Sequence, residues 1–180
     1  TINLGLFYGM GKGKLMSQLG VNLEDATEML ANYNERVPFV KQLMNDTMSK
    51  AGKKGFLSTI EGRRCRFEEW EPINEWGKKS LPLKEAQQEY GEHMIKRAWT
   101  YKALNRLIQG SAADQTKKAM LELYKQGYMA HIQVHDELDF SVANDEDKSR
   151  IKEIMEHAVK LEVPSKVDVE CGDSWGDAGD

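Results

Sequence analysis

Residues 128–142 have the sequence YMAHIQVHDELDFSV, in which two apolar segments flank a short polar one. The apolar segments, 128–134 and 138–142, predict two β-strands joined by a tight turn. Such a hairpin holds its turn residues out of the sheet, within reach of a ligand. The candidate functional residues of this hairpin are therefore His135, Asp136 and Glu137.

The two carboxylates of this turn, Asp136 and Glu137, indicate a metal site. Neighbouring negative charges repel each other unless solvent or a cation screens them. Magnesium prefers carboxylate oxygens and is usually held by one or two of them together with phosphates. For the turn considered alone, the alternative interpretation is a solvated polar hairpin tip without a ligand.

A long helical pattern covers residues 83–126, with Gly91 and Gly110 as candidate bends. Asn105 and Gln109 are four residues apart and share one face of this helix. Amides in that arrangement can donate hydrogen bonds to base edges or sugars in a minor groove. Because residues 110–113 are small, close packing against another helix is the alternative role of this segment.

A third pattern lies at the start of the chain, where Leu4 and Tyr8 are four residues apart and Gly9 follows. One helical face would present an apolar side chain and an aromatic ring. The alternative interpretation is that both side chains belong to a hydrophobic core.

The other elements follow from capping residues and apolar spacing. Asn22 and Asn144 are typical N-caps and predict helices that run to about residues 35 and 161. Pro38 fits the first turn of a further helix that ends near residue 52. Residues 56–60 and 166–170 predict short strands, whereas residues 67–82 have no apolar period and predict a loop.

Composition and charge narrow the class of protein. The 180 residues are 40% hydrophobic and 30% charged, which is ordinary for a globular chain. No apolar run approaches the ~20 residues of a membrane helix, and no signal peptide is recognisable. Two cysteines, Cys65 and Cys171, exclude a disulfide scaffold. Residues 1–130 have a net charge of +5 and residues 131–180 one of −9. This asymmetry fits either a solvated surface with uneven charge or a phosphate-binding region followed by an acidic, metal-binding one.

Taken together, the motifs resemble the C-terminal part of family A DNA polymerases, the bacterial polymerase I type and its phage relatives. The matching segments are LGLFYGM at 4–10, GRR at 62–64, NRLIQGSAAD at 105–114, QVHDELDF at 133–140 and VDVECGDSW at 167–175. The resemblance implies an α+β fold that forms part of a polymerase right hand. Residues 1–82 would form a helical fingers segment with a following strand and loop. Residues 83–180 would form the long helix and a palm segment whose antiparallel sheet carries the HDE hairpin.

The resemblance also implies how the hairpin and the helix act. Two Mg²⁺ ions bridge the primer end and the incoming deoxynucleotide triphosphate, and Asp136 matches one of the two metal-binding aspartates. Glu137 matches the second acid of the motif, a helper close to the metals, and His135 matches a residue near the primer terminus. The predicted DNA contacts on the helix are Asn105, Gln109, Lys102 and Arg106.

On the nucleotide side, Tyr8 matches a fingers-helix tyrosine near the nascent base pair, and Gly9 follows it as in the family. Leu4 stands where the family usually has Phe or Tyr facing the sugar of the nucleotide. Because leucine has no hydroxyl, we expect this polymerase to reject chain terminators. The position four residues before Asn105, basic in bacterial members, is Tyr101, which is typical of phage members.

Several functional groups of the family do not occur in this sequence. The fingers-helix lysine and arginine would precede Thr1, and the palm strand with the first metal-binding aspartate has no counterpart. We therefore expect the chain to need an N-terminal portion, in cis or as a separate chain, and to be inactive alone. The start at Thr1 fits a piece of a longer chain, a proteolytic fragment, the second half of a split polymerase or an intein-separated half. The expected partners are primer–template DNA and deoxynucleotide triphosphates, with no membrane, in the cytoplasm of a bacterial or phage-infected cell.

Two alternatives remain open from the sequence. A single-subunit phage RNA polymerase shares the Tyr-Gly and His-Asp features, but its residue after His-Asp is typically serine where this chain has Glu137. The chain alone could also be a non-catalytic nucleic-acid-binding module, since one metal-binding aspartate is missing.

Overall fold

The structure is a computed structural model that describes residues 5, 6, 8, 10–75 and 77–178. The chain divides into two compact units, Thr1–Ile108 and Gln109–Asp180. Both combine helices with small antiparallel sheets, so the predicted α+β class is confirmed. The boundary expected between fingers and palm segments, at residues 82 and 83, concerns polymerase subdomains and stays a prediction. None of the described helices has the length and apolar character needed to span a membrane.

Between residues 12 and 54, the first unit has three helices whose ends follow the local sequence. They are α1 (Lys12–Leu19), α2 (Leu23–Arg36) and α3 (Pro38–Lys54). The Asn22 side chain accepts a hydrogen bond from the Asp25 backbone N–H, so the predicted N-cap of α2 is confirmed. Pro38 lies in the first turn of α3 as predicted, and Gly55 ends that helix with a φ of 75°.

Two sheets follow in the first unit. Strands β1 (Phe56–Ser58) and β2 (Arg64–Arg66) form an antiparallel pair. Strand β3 (Glu69–Pro72) lies between β4 (Leu81–Pro82) and β5 (Ile95–Arg97) in a three-stranded sheet. The loop predicted for residues 67–82 is therefore wrong at both ends. The strands there are too short to show a period, and β3 gains its stability from β5, far along the chain.

The long helix predicted for residues 83–126 is interrupted. Helix α4 (Leu83–Tyr90) ends at Gly91, whose φ of 89° is accessible to glycine at little cost. Strand β5 and a 3₁₀ helix (Thr100–Lys102) come next, and only then does α5 (Ala103–Lys125) begin. Gly110, the other candidate bend, lies inside α5 without ending it.

Each unit has its own hydrophobic core. In the first unit, Ala51, Leu57, Phe67 and Ala103 are buried together, with Trp99 and Leu107 packed against them. In the second unit, Leu123 of α5 is buried with Ile151 and Ile154 of α6 (Asp145–His157). These cores join α3, β1 and the start of α5 in one unit, and α5 and α6 in the other.

The second unit confirms the hairpin but shortens its strands. Strands β6 (Ile132–Val134) and β7 (Glu137–Asp139) are antiparallel, whereas longer strands were predicted. Within the described residues no strand forms at 166–170, and α6 ends at His157 rather than near residue 161. Asn144 caps α6 as predicted, by accepting a hydrogen bond from the Asp147 N–H. Cys65 and Cys171 are both free thiols.

Candidate active site

The HDE hairpin has a two-residue turn. Val134 pairs with Glu137, which leaves His135 and Asp136 as the turn residues. His135 has a φ of 51°, in the left-handed region that few residues other than glycine adopt. The Gln133 amide donates a 2.6 Å hydrogen bond to the His135 carbonyl oxygen and so closes the turn. The backbone therefore fixes the position of Asp136 at the end of a short, closed ladder.

The three side chains at this turn are exposed. Among the residues that the structure describes, none forms a hydrogen bond or an ion pair with the side chain of His135, Asp136 or Glu137. Two adjacent carboxylates without a cationic partner create a local negative field. This arrangement can accept a hydrated cation or a ligand that brings one.

The hairpin is held to its unit from one face. Leu138 and Phe140 pack against the core of Leu123, Ile151 and Ile154. Tyr128, which precedes the hairpin, also packs there and donates a 3.0 Å hydrogen bond from its hydroxyl to Asp147 Oδ1. That hydrogen bond to a carboxylate raises the pKa of Tyr128 above its ordinary value. Ile132 and Val134, by contrast, are 45% and 40% exposed, so β6 has an uncovered apolar face.

The predicted DNA-binding amides lie on α5. Asn105 and Gln109 are both exposed and both inside this helix, four residues apart, as predicted. Ala103 and Leu104, which precede them, are buried. The first turns of α5 therefore have one face in a core and another, carrying Asn105, directed to solvent.

The two basic residues predicted beside them are held by aromatic rings. The Lys102 ammonium lies 4.5 Å from the centroid of the Trp99 ring and 5.5 Å from that of Tyr101. The Arg106 guanidinium lies 5.1 Å from the centroid of the Phe67 ring. Cation–π contacts restrict a side chain without neutralising its charge. The aromatic rings thus restrain both side chains without supplying an anionic partner.

Of the predicted nucleotide-binding residues, Tyr8 is half-buried and lies in a turn. Leu4 and Gly9 lie outside the described residues. The fingers-helix part of the prediction therefore rests on the sequence.

The hairpin offers the type of ligand atom that magnesium prefers, since the carboxylate oxygens of Asp136 and Glu137 are exposed. The set of donors is small, however: across the described part of the chain there is no group of three or more His, Cys, Asp or Glu side chains able to hold a metal. Two carboxylates suit an ion that takes its remaining ligands from water, phosphate or another protein segment.

Sequence reasoning missed one polar cluster near the start of α5. The Trp99 indole Nε1 donates hydrogen bonds to Glu69 Oε2 at 2.9 Å and to Ser80 Oγ at 3.2 Å, and the Ser80 hydroxyl donates to the same Glu69 oxygen. The hydrogen bonds from Ser80 and Trp99 lower the pKa of Glu69 below its ordinary value. We call these three residues the Glu69–Ser80–Trp99 cluster. No spacing rule links positions 11 to 30 residues apart, so the sequence carried no signal for it.

The sequence is similar to known proteins over nearly its whole length. The model of one protein family, described as DNA polymerase family A, matches residues 1–177. A DNA-directed DNA polymerase of Pseudomonas phage M6 is 35% identical, with 97% of this chain and 28% of that protein covered. DNA polymerase I of Bacillus subtilis is 34% identical, with 99% of this chain and 19% of that protein covered. The chain therefore spans only 19% to 28% of the length of these curated relatives.

One solved structure extends the likeness to three dimensions. The POL domain of Pol1 from M. smegmatis, in complex with DNA primer-template and dNTP, superimposes with a TM-score of 0.73 at 31% identity. The superposition covers 97% of this chain and 29% of that one.

Proposed function

Because the chain belongs to the family A DNA polymerases, we propose that it is the C-terminal fingers–palm part of a DNA-dependent DNA polymerase. It would add deoxynucleotides to a primer 3′-hydroxyl under the direction of a template. The observation that carries the proposal is the end of the hairpin, where His135 and Asp136 form the turn and Glu137 begins β7. The exposed side chains of these three residues have no partner among the described residues. A pair of carboxylates kept at a rigid turn suits the assembly of metal and phosphate groups.

We propose that Asp136 is a magnesium ligand and that Glu137 assists beside it. When bound, two magnesium ions would supply positive charge for the attacking 3′-oxygen and the leaving pyrophosphate oxygen. The turn would fix the position of Asp136 relative to the metal ions, because the closed β6–β7 ladder leaves its backbone little freedom. His135, directly before it, would contact the primer terminus.

The first turns of α5 supply a separate set of DNA contacts in this proposal. Hydrogen-bond acceptors at the minor-groove edge occur on every correct base pair, so Asn105 and Gln109 would check geometry without reading sequence. Lys102 and Arg106 would face phosphates, and their contacts with aromatic rings keep both cations in place. Tyr8, Leu4 and Gly9 complete the proposal on the nucleotide side, from sequence resemblance.

The proposed partner of this chain is the N-terminal portion of the same polymerase, with the other metal-binding aspartate. Two observations support it. The chain spans 28% of the phage M6 polymerase. The exposed apolar face of β6 belongs to a hairpin of two strands, and such a sheet needs further strands or helices to cover it. We place the complete enzyme in the cytoplasm of a bacterial or phage-infected cell.

Primer extension by the completed polymerase tests this function. The chain, joined to its N-terminal portion, is mixed with a primed DNA template, Mg²⁺ and either deoxynucleotides or ribonucleotides. We expect extension with deoxynucleotides. Preferential ribonucleotide incorporation would favour an RNA polymerase instead, and DNA binding without extension would favour a non-catalytic module.

A further inference from the structure

Trp99 has an unusual backbone conformation at the entrance to α5. Its φ of 61° and ψ of 11° lie in the left-handed region, where a bulky side chain is an outlier. The residue directly precedes the 3₁₀ helix Thr100–Lys102, which continues into α5. Such conformations persist where surrounding contacts determine them, and they occur often at functional sites.

The contacts that determine this conformation come from two other chain segments. The indole N–H is shared between Glu69 of β3 and Ser80, which directly precedes β4. A backbone hydrogen bond also connects β3 to this segment, since the Ala98 N–H donates to the Glu69 carbonyl oxygen at 2.9 Å. Glu69 thus holds the chain at residues 98 and 99 by its main chain and its side chain together.

On its other side, Trp99 contacts the 3₁₀ helix and the start of α5, which carry residues predicted to bind DNA. Its ring packs against the core that includes Ala103, and Lys102 lies over its face at 4.5 Å. Asn105 follows within the first turn of α5. Because α5 continues from the 3₁₀ helix, a change in the backbone angles of Trp99 would redirect its first turns.

We propose that Glu69 and Trp99 are positioning residues that fix the direction in which α5 begins and thereby aim Asn105 and Lys102 at the DNA. The inference rests on the proposed function, and it concerns residues to which the polymerase motifs assign no role. Neither residue touches the reacting atoms in this account. They act through the backbone between residues 98 and 105.

The test uses the complete polymerase with its N-terminal portion. Trp99→Phe keeps an aromatic ring and removes the indole donor, and Glu69→Ala removes the acceptor. Glu69→Gln retains an oxygen that accepts the indole hydrogen bond and is the conservative variant. Glu71→Gln is the matched control, since Glu71 lies on the same strand but pairs with Lys96 at 3.6 Å.

The readout is the ratio of extension rates on matched and mismatched primer ends, with the deoxynucleotide Kd measured separately. Small misplacements of a positioned group cost between about tenfold and a hundredfold in rate. We expect Trp99→Phe and Glu69→Ala to lower the matched-end rate, and the ratio, by about tenfold, with the nucleotide Kd unchanged. Glu69→Gln and Glu71→Gln should stay near wild type. The Trp99→Phe/Glu69→Ala double variant should lose no more than either single one, because both break the same contact.

An unchanged ratio in Trp99→Phe, or an equal fall in Glu71→Gln, would overturn the inference. If Trp99→Phe does not fold, Ser80→Ala, which removes one member of the cluster, must lower the ratio in the same direction. Hydrogen exchange of the amides at 100–108 gives a second readout that needs no activity, and Trp99→Phe should accelerate it. Unaltered exchange would refute the positioning role, whereas a wild-type enzyme that extends no primer would refute the proposed function.

Discussion

In the sheet of β3, β4 and β5 the acidic side chains have partners, whereas at the β6–β7 turn they have none among the described residues. Glu69 accepts hydrogen bonds from Ser80 and Trp99, and Glu71 pairs with Lys96. Asp136 and Glu137 lie exposed at the end of the β6–β7 hairpin without such contacts. The first arrangement stabilises a sheet, and the second leaves charge available to a ligand.

The presence or absence of protein partners decides whether replacing a carboxylate affects stability or catalysis. A carboxylate that no protein group contacts contributes little to folding, so its replacement should act on chemistry alone. A carboxylate with hydrogen-bond partners contributes to the local structure, so its replacement should act on geometry and on pH-dependent stability.

The largest effect is expected from Asp136→Asn in the completed polymerase. Loss of a ligand charge falls on the chemical step, because phosphoryl transfer depends on electrostatic stabilisation. We expect single-turnover rates to fall by a factor of about 1000 or more, over 4 kcal/mol, with little change in DNA affinity or unfolding midpoint. Glu137→Gln should lower the single-turnover rate less, and Glu162→Gln, at an exposed position, should leave it unchanged. A rate for Asp136→Asn within about tenfold of wild type would show that the turn is only a polar hairpin tip.

The core beneath the hairpin should show the opposite behaviour. Leu123 is 1% exposed against Ile151 and Ile154, so Leu123→Ala leaves a cavity and should destabilise the protein by about 2–5 kcal/mol. Leu121→Ala, on the same helix but 47% exposed, is the control and should stay within about 0.5 kcal/mol. Urea unfolding measures both. Equal losses in the two variants would mean that α5 does not bury the face described above.

A smaller effect is expected at Gln109. Gln109→Ala should slow extension on all template sequences alike, and it should reduce the penalty for a mispaired primer end by about tenfold, or 1.4 kcal/mol. The exposed Gln88→Ala on α4 tests whether any surface glutamine has this effect. Single-nucleotide extension from matched and mismatched primers gives the ratio. An equal loss of extension rate on matched and mismatched primer ends would show that Gln109 does not check base-pair geometry.

The smallest effect is a pH dependence at Glu69. Its folded-state pKa lies below the ordinary value because Ser80 and Trp99 donate hydrogen bonds to the carboxylate. The stabilisation is therefore present above the unfolded-state pKa, about 4 to 5, and is lost as the pH falls through the lower folded-state value. Unfolding midpoints of wild type and Glu69→Ala should differ at pH 7 and converge in acid. A difference that persists unchanged to pH 3 would show that the carboxylate charge is not involved.

Local signals in the sequence predicted the parts of the fold that local contacts create. Asn22 and Asn144 bond to backbone groups three residues away, so the helix starts were correct. The HDE turn was found for the same reason, since its two strands are adjacent in the chain. Asn105 and Gln109 shared a helix face as their spacing required.

Distant contacts created the parts that sequence reasoning missed. Trp70 of β3 pairs with Arg97 of β5, whose guanidinium also lies 4.6 Å from the Trp70 ring centroid. Strands of two to four residues have no measurable period, so only that pairing reveals them. The Glu69–Ser80–Trp99 cluster has the same origin. The strand expected at 166–170 failed for the opposite reason: the local pattern was present, but no strand forms there among the described residues. Alternating residues become a strand only when a neighbouring strand pairs with them.

In the proposed function, this chain supplies part of a polymerase site in which Asp136 is a metal ligand. Magnesium-dependent primer extension by residues 1–180, measured without and with the N-terminal portion of the polymerase, tests it most directly. We expect no extension by the chain alone, extension after the N-terminal portion is added, and loss of that activity in Asp136→Asn. Extension by the purified 180-residue chain alone, or full activity of the completed enzyme with Asp136→Asn, would contradict it.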